Sequence, residues 1–338
     1  MDRTQGMPVA IVPAAGVGTR LRPHTHTVPK ALVNVAGKPI LAHILDALVQ
    51  QGIQRVVLVV GYMGESIRAF VDRRYPGIAE CVEQPERLGL GHAVALTRDR
   101  VPAGPILIVL GDTIVHTDYG RFLHGERVVL GVKAVDDPRR FGIVRVLDDR
   151  VVELIEKPEH PPSNLALVGL YYLPDAAVLQ ARLGAVIEHG VLTKGEYQLT
   201  DALALMLRDG VEMVTESVEG WFDCGKPETL LSTNEYLLRL APRNPELPGV
   251  LIRHPVSIDP TARVTHAIVG PNVSIAAGAV VADSIVRDSI VNENAEVRDM
   301  VLEGSLIGEN AIVRGSFQRL NVGDSSEIDL SSGPRPGA

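Results

Sequence analysis

The residues best suited to chemistry lie together near the N-terminus, where residues 11–30 read IVPAAGVGTRLRPHTHTVPK. Gly16 and Gly18 lack Cβ atoms, so backbone N–H groups there can close on phosphate oxygens, while Arg20 and Lys30 add the positive charge a polyphosphate needs. The spacing reads as a triphosphate cradle. It is not a P-loop, which has four residues between its glycines and then Gly-Lys-Ser/Thr. Nor is it a dinucleotide fingerprint, because the position of a third glycine holds Leu21.

Two carboxylates and one amide extend the cradle. Asp112, in VLGDT, and Asp223, in WFDCG, each follow an apolar strand-like run, and Mg²⁺ favours a few carboxylates completed by phosphate oxygens and water. They are assigned as one shared Mg²⁺ site. Gln84, in EQP, and Gly89, in LGLGHA, precede a helix start. A glutamine amide carries a donor and an acceptor that suit the imide edge of uracil or thymine, and Gly89 lets backbone approach the base. Both pyrimidines present that edge, so Gln84 leaves the choice between them open.

The elements that position these residues follow from periodicity. From about residue 8 to 240, apolar runs (VAIVPAA, RVVLVVGY, ILIVLGD) alternate with helical stretches such as PILAHILDALVQQG. That order implies βαβ units and an α/β fold with a Rossmann-like, mixed, mostly parallel sheet. Asp112 falls outside the carboxyl end of a strand, where ligands gather in such sheets. Between 127 and 173 strands follow one another without long helices, which predicts a local antiparallel layer forming a lid-like pocket. A helix over 195–210, one strand over 211–225 and a terminal helix complete this unit.

Residues 241–249, APRNPELPG, hold three prolines and one glycine and are assigned as a linker. Beyond them, aliphatic residues recur every five or six positions, from Ile258, Val264 and Val269 to Leu302, Ile307 and Val313. That period predicts a parallel β-helix over 250–328, with roughly three coils of about eighteen residues each. Residues 1–6 and 331–338 are expected to lack structure.

Gly-x-Gly-Thr-Arg-Leu-x-Pro, with Pro29-Lys30 beyond it and Gly37-Lys38-Pro39 opening the next helix, resembles the signature of sugar-nucleotide pyrophosphorylases. The chain as a whole is most similar to the long-form glucose-1-phosphate thymidylyltransferases of that family, which carry a C-terminal left-handed β-helix. The resemblance implies an enzyme that joins a sugar 1-phosphate, α-D-glucose 1-phosphate, to a nucleoside triphosphate, dTTP, and releases pyrophosphate. It implies nucleotide contacts from Ala15, Gly16, Gly18, Thr19, Arg20, Gln84 and Gly89. In Glu156-Lys157-Pro158 it implies a carboxylate holding sugar hydroxyls and an ammonium holding the sugar phosphate, with Gly142 beside Phe141, and Val168-Gly169, lining the sugar site. Arg20, Lys30 and Lys157 then carry the catalytic charge, since the sugar phosphate is already an anionic nucleophile. Lys194 departs from the pattern: the thymidylyl enzymes often place Arg there, and an ammonium cannot grip a phosphate bidentately. UTP with glucose or an N-acetylhexosamine phosphate is the nearest alternative. A non-catalytic sugar-nucleotide-binding subunit is the alternative from another class.

Composition excludes other classes. The net charge is −8 with no Lys/Arg run, which gives no reason to expect nucleic-acid binding. No apolar run approaches a membrane span and no leader pattern opens the chain, so a soluble, cytoplasmic protein without a membrane partner is expected. Cys81 and Cys224 stand far apart in apolar settings and read as packing residues. His24 and His26 form His-x-His without a third ligand nearby. His254 and His266 lie beside or within the β-helix, where acyltransferases of that fold place a base, but the glycine-rich wall for acyl-CoA is missing. The β-helix is therefore expected to serve self-association.

Overall fold

The computed structural model describes residues 6–123, 125–240 and 246–316. Linker residues 241–245, the end of the expected β-helix at 317–328, and the tail at 331–338 lie outside the described residues.

A nine-stranded mixed sheet forms the centre of the N-terminal part. Val9–Pro13 lies between Val56–Val60 and Ile106–Val109, and Val56–Val60 in turn pairs with Ala79–Glu83, all in parallel. These strands are near-continuous Val/Ile/Leu runs because both faces of a parallel sheet are covered by helices. Ile106–Val109 then pairs antiparallel with the long strand Leu165–Leu173, which carries Val128–Ala134 and Gly142–Leu147 on its other positions. Gly142–Leu147 and Arg150–Glu156 form the outer hairpin. The expected antiparallel layer is thus continuous with the parallel half.

Helix Ile40–Gln50 buries Ile40, Leu41, Ile44, Leu45 and Leu48 on one face of the sheet, while Ala176–Glu188 and Leu199–Arg208 cover the other with Leu179, Leu183, Leu203 and Met206. Leu199–Arg208 is shorter than the helix expected over 195–210, because Gly195 has φ +82° and Thr193 and Glu196 close a bridge before the helix begins. The single strand expected over 211–225 is two strands in different sheets. Met213–Ser217 runs parallel to Val128–Ala134, whereas Gly220–Asp223 pairs antiparallel with Thr113–His116. This second pairing is what brings Asp223 next to Asp112.

Beyond residue 250, short strands stack into three parallel sheets of four strands each, the arrangement of a left-handed β-helix. Leu251 pairs with Ile268, Ile268 with Ile285 and Ile285 with Val301. Each coil therefore takes 17 or 16 residues (251 to 268 to 285 to 301), and the described residues form four rungs where about three were expected. Val264, Val281 and Val297 form one inward ladder and Val269, Val286 and Leu302 another. Asn, Asp and His residues with positive φ, among them His266, Asp283 and Asp299, turn the corners.

The sheet containing Val273–Ile275 faces the N-terminal part. Ile290 enters the N-terminal core, and Leu306 packs on it. Buried Asn234, on helix Pro227–Leu240, joins three segments. Its Oδ1 accepts from the Ala36 N–H at 2.9 Å and from Ser274 Oγ at 2.6 Å, and its Nδ2 donates to the Asn272 carbonyl at 2.9 Å. Among the described residues, no helix is long and apolar enough to cross a membrane.

Candidate active site

After Val9–Pro13 the chain runs out of the sheet through Ala14 and Ala15 into the glycine-containing turn. Gly18 has φ +68°, and a Cβ there would stand 2.9 Å from Lys30 Cβ. Its carbonyl accepts from Thr25 Oγ1 at 2.7 Å. Glycine at this position thus supplies the left-handed backbone and the space that let the Pro-rich loop fold back and place Lys30 inside. Lys30 is buried; its ammonium lies 2.6 Å from Asp112 Oδ2 and 3.7 Å from Asp223 Oδ1. Arg20 reaches Asp223 Oδ2 at 3.9 Å across Gly225, where a Cβ would meet the guanidinium at 2.6 Å. The cradle cations and the two aspartates are therefore one cluster. Partial desolvation pushes the Asp112 carboxyl up, but the Lys30 charge and hydrogen bond, with the Thr113 hydroxyl, outweigh it and hold the group below the usual carboxylate range.

Two cavities meet at this cluster. One, of about 540 Å³, is lined by Ala15, Gly16, Gly18, Thr19, Lys30, Gln84 and Gly89. The other, of about 840 Å³, is lined by Gly142, Glu156, Val168, Lys194 and Asp223. Arg20, Asp112, Lys157 and Glu196 border both, with Leu90 and Leu110. A long substrate in the first cavity and a second substrate in the other would touch over these side chains.

In the larger cavity, Thr200 Oγ1 donates to Glu156 Oε2 at 2.7 Å, and Lys157 Nζ stands 3.1 Å from Glu156 Oε1. A Cβ on Gly142 would lie 2.9 Å from both Glu156 Oε2 and Thr200 Oγ1, so the glycine makes room for that carboxylate. Gly169 lies outside the lining: with φ +85° it leaves space that Leu110 fills, since a Cβ would stand 2.5 Å from the Leu110 side chain. Lys194 is exposed at the rim with φ +55°.

Several cavity residues escape a motif reading. Trp221 stacks edge-on with Phe141 at 4.8 Å and forms a wall. The signal was available, because Trp221 and Asp223 are two apart on one strand and so share a face. Thr200 and Glu196 sit in the GEYQLTD stretch, where nothing local marks them as site residues. Cys224 is buried and donates weakly to the Phe222 carbonyl; burial pushes its thiol up to about 12, which makes it inert.

Among the described residues no group of three or more metal-ligating side chains exists. Asp112 and Asp223 nevertheless converge on one ammonium, so one cation can reach both. A two-carboxylate set suits Mg²⁺, which keeps waters and takes substrate phosphate oxygens for the remaining positions.

Residues 9–239 match the Nucleotidyl transferase family. The glucose-1-phosphate thymidylyltransferase of Streptomyces griseus is 33% identical, with 96% of this chain and 99% of that one aligned. The UTP–glucose-1-phosphate uridylyltransferase AglF of Haloferax volcanii is 36% identical over 65% of this chain and 92% of its own. This chain spans 64% of the length of another Haloferax volcanii relative, the low-salt glycan biosynthesis nucleotidyltransferase Agl11, at 36% identity. A solved Bacillus anthracis structure, named provisionally a glucose-1-phosphate thymidylyltransferase and containing a sucrose, superposes with a TM-score of 0.60 at 25% identity, over 71% of this chain and 98% of that one. Since the family match takes in the cradle, both aspartates and the Glu-Lys cavity, and the Streptomyces relative aligns along nearly the whole length, the chain belongs to the nucleotidyl transferase family.

Proposed function

We propose that the protein joins α-D-glucose 1-phosphate to dTTP, giving dTDP-glucose and pyrophosphate. The observation that carries this reading is the meeting of two cavities at Arg20, Asp112 and Lys157, with the cradle opening into one and Glu156 into the other. The triphosphate would lie along Gly16–Arg20, and the sugar would be held by Glu156 with its phosphate on Lys157. The attacking phosphate oxygen is already anionic, so no side chain need remove a proton. Arg20, Lys30 and Lys157 align the two anions and lower their repulsion. Asp112 and Asp223 would hold Mg²⁺, which when bound neutralises charge on the triphosphate.

The same reading treats residues 8–240 as the catalytic unit, 241–249 as a linker and 250–328 as a β-helix for self-association. An outward column of Leu251, Ile268, Ile285 and Val301, of which Val301 is 70% exposed, supports the last point. Two unpaired cysteines support a reducing, cytoplasmic setting.

The AglF alignment keeps a second reading, in which UTP replaces dTTP. The test is pyrophosphate release with dTTP, UTP, ATP and GTP against glucose 1-phosphate and N-acetylglucosamine 1-phosphate. The highest kcat/KM is expected for dTTP with glucose 1-phosphate. Preference for UTP moves the assignment to the uridylyl reading, and absence of release with every pair overturns the enzymatic one.

A further inference from the structure

Gln84 is 5% exposed, and its amide nitrogen makes two hydrogen bonds inside the protein. Nε2 donates to the Gly89 carbonyl at 3.1 Å and meets His92 Nδ1 at 3.1 Å. A carbonyl oxygen can only accept, so the group of Gln84 facing Gly89 is the NH₂ and the orientation of the amide is fixed. With that NH₂ in place, His92 Nδ1 must also accept, which puts the imidazole proton on Nε2. Both amide hydrogens are then used. Among the described residues Oε1 has no hydrogen-bond partner, and the side chain lines the cradle cavity.

We propose that His92 is a positioning residue that locks the Gln84 amide as an acceptor towards the nucleotide base, so that the site selects a ring N–H such as N3–H of uracil or thymine and rejects the bare N3 of cytosine. This rests on the proposed reading that Gln84 faces the base. His92 does not line the cavity; it acts through Gln84. Burial holds its imidazole below the ordinary value against the opposing charge of Glu86, which keeps the Nδ1 lone pair available at neutral pH. Without His92 Nδ1 the Gly89 carbonyl is the remaining anchor of the NH₂, so the flipped orientation costs less and is more populated, and an NH₂ facing the cavity pairs with cytosine N3 as Oε1 pairs with uracil N3–H. The result is loss of discrimination with little change in chemistry, because the base lies away from the reacting phosphorus.

Two measurements test this. The first needs no nucleotide: ring ¹⁵N shifts of His92 in the ligand-free protein, assigned by difference from His92→Asn, should show Nδ1 unprotonated and Nε2 protonated at neutral pH. A protonated Nδ1 overturns the proposal. The second compares wild type, His92→Leu and His92→Asn, whose Oδ1 can replace Nδ1 as acceptor. His92→Leu should raise KM for dTTP and UTP about tenfold, the loss of one directed hydrogen bond, with kcat and the sugar-phosphate KM within about twofold. It should also narrow UTP-over-CTP discrimination in kcat/KM about tenfold, and His92→Asn should restore both. Unchanged discrimination in His92→Leu, or a loss that His92→Asn does not restore, overturns it. A wild type that prefers purine triphosphates would refute the proposed base alone, since the ring shifts read the Gln84 lock independently.

Discussion

Lys30 Nζ lies 2.6 Å from Asp112 Oδ2, so the cation expected to hold phosphate is the ion-pair partner of a carboxylate expected to hold metal. The pair links activity to stability. Replacing Asp112 by Asn would leave a buried ammonium with only Asp223, 3.7 Å away. The half-exposed carboxylate is screened, so the destabilisation should be about 1–2 kcal/mol rather than the larger cost of breaking a fully buried pair. The folded-state pKa of Asp112 is depressed, hence its stabilisation is present above the unfolded carboxyl value of about 3.9 and is lost as pH falls through the lower folded value. Melting curves of wild type and Asp112→Asn should therefore differ most near neutrality and converge in acid. Curves that differ equally at every pH would refute the linkage.

Removing the ammonium should act on catalysis. Lys30→Met deletes charge that matters more in the transition state than in bound substrate, so kcat should fall about a hundredfold or more. A change confined to KM would mean that Lys30 only binds.

The cradle, the aspartates and the β-helix were legible because each has a local signature: glycine spacing, carboxylates after apolar runs, and aliphatic recurrence. The Asp112–Asp223 approach is legible in residue type, as one shared cation site, and not in the strand pairing that produces it. It depends on Gly220–Asp223 leaving the strand register of Met213–Ser217 to pair with Thr113–His116, a long-range choice that no window of sequence contains. Gly169 is instructive in the opposite direction. The resemblance puts it in the lining of the sugar site, yet the space it leaves is taken by Leu110, because a glycine in a sequence marks a close approach without naming the neighbour. The coil length of the β-helix was overestimated because eighteen residues needs three steps of six, whereas each coil contains steps of five, as from Val264 to Val269 and from Val281 to Val286.

The Glu156 carboxylate should be sensitive to its supports. Thr200→Val removes the hydroxyl that donates to Oε2 at 2.7 Å, and Gly142→Ala places a methyl 2.9 Å from the same oxygen. Either change should raise KM for the sugar 1-phosphate by roughly five- to tenfold and leave the triphosphate KM nearly constant, as expected for loss of about one charge-assisted hydrogen bond. Equal effects on both substrates would place Glu156 outside the sugar site.

Asn234 ties the segment at Ala36 to the β-helix through three hydrogen bonds in a site with no solvent access. Asn234→Leu should lower stability by about 2–4 kcal/mol, because the Ala36 N–H, the Ser274 hydroxyl and the Asn272 carbonyl lose their partner together. Denaturant titration should show a lower midpoint. A stability within 0.5 kcal/mol of wild type, about the spread of ordinary surface substitutions, would mean water replaces the amide.

The outward apolar column of the β-helix gives the last prediction. Leu251, Ile268, Ile285 and Val301 are in register on successive coils, and the sheet that carries them is not the one packed on the N-terminal part. If a second copy covers this column, charges placed on it should break the assembly without disturbing the coil interior, whose ladders point the other way. Ile285→Asp combined with Val301→Asp should lower the mass measured by light scattering towards that of one 36.3 kDa chain, while the fold reported by circular dichroism is kept. Pyrophosphate release should survive, since both cavities are lined by residues of the N-terminal part. A wild type already monodisperse at one chain, or a double variant of unchanged larger mass, would remove this face from assembly.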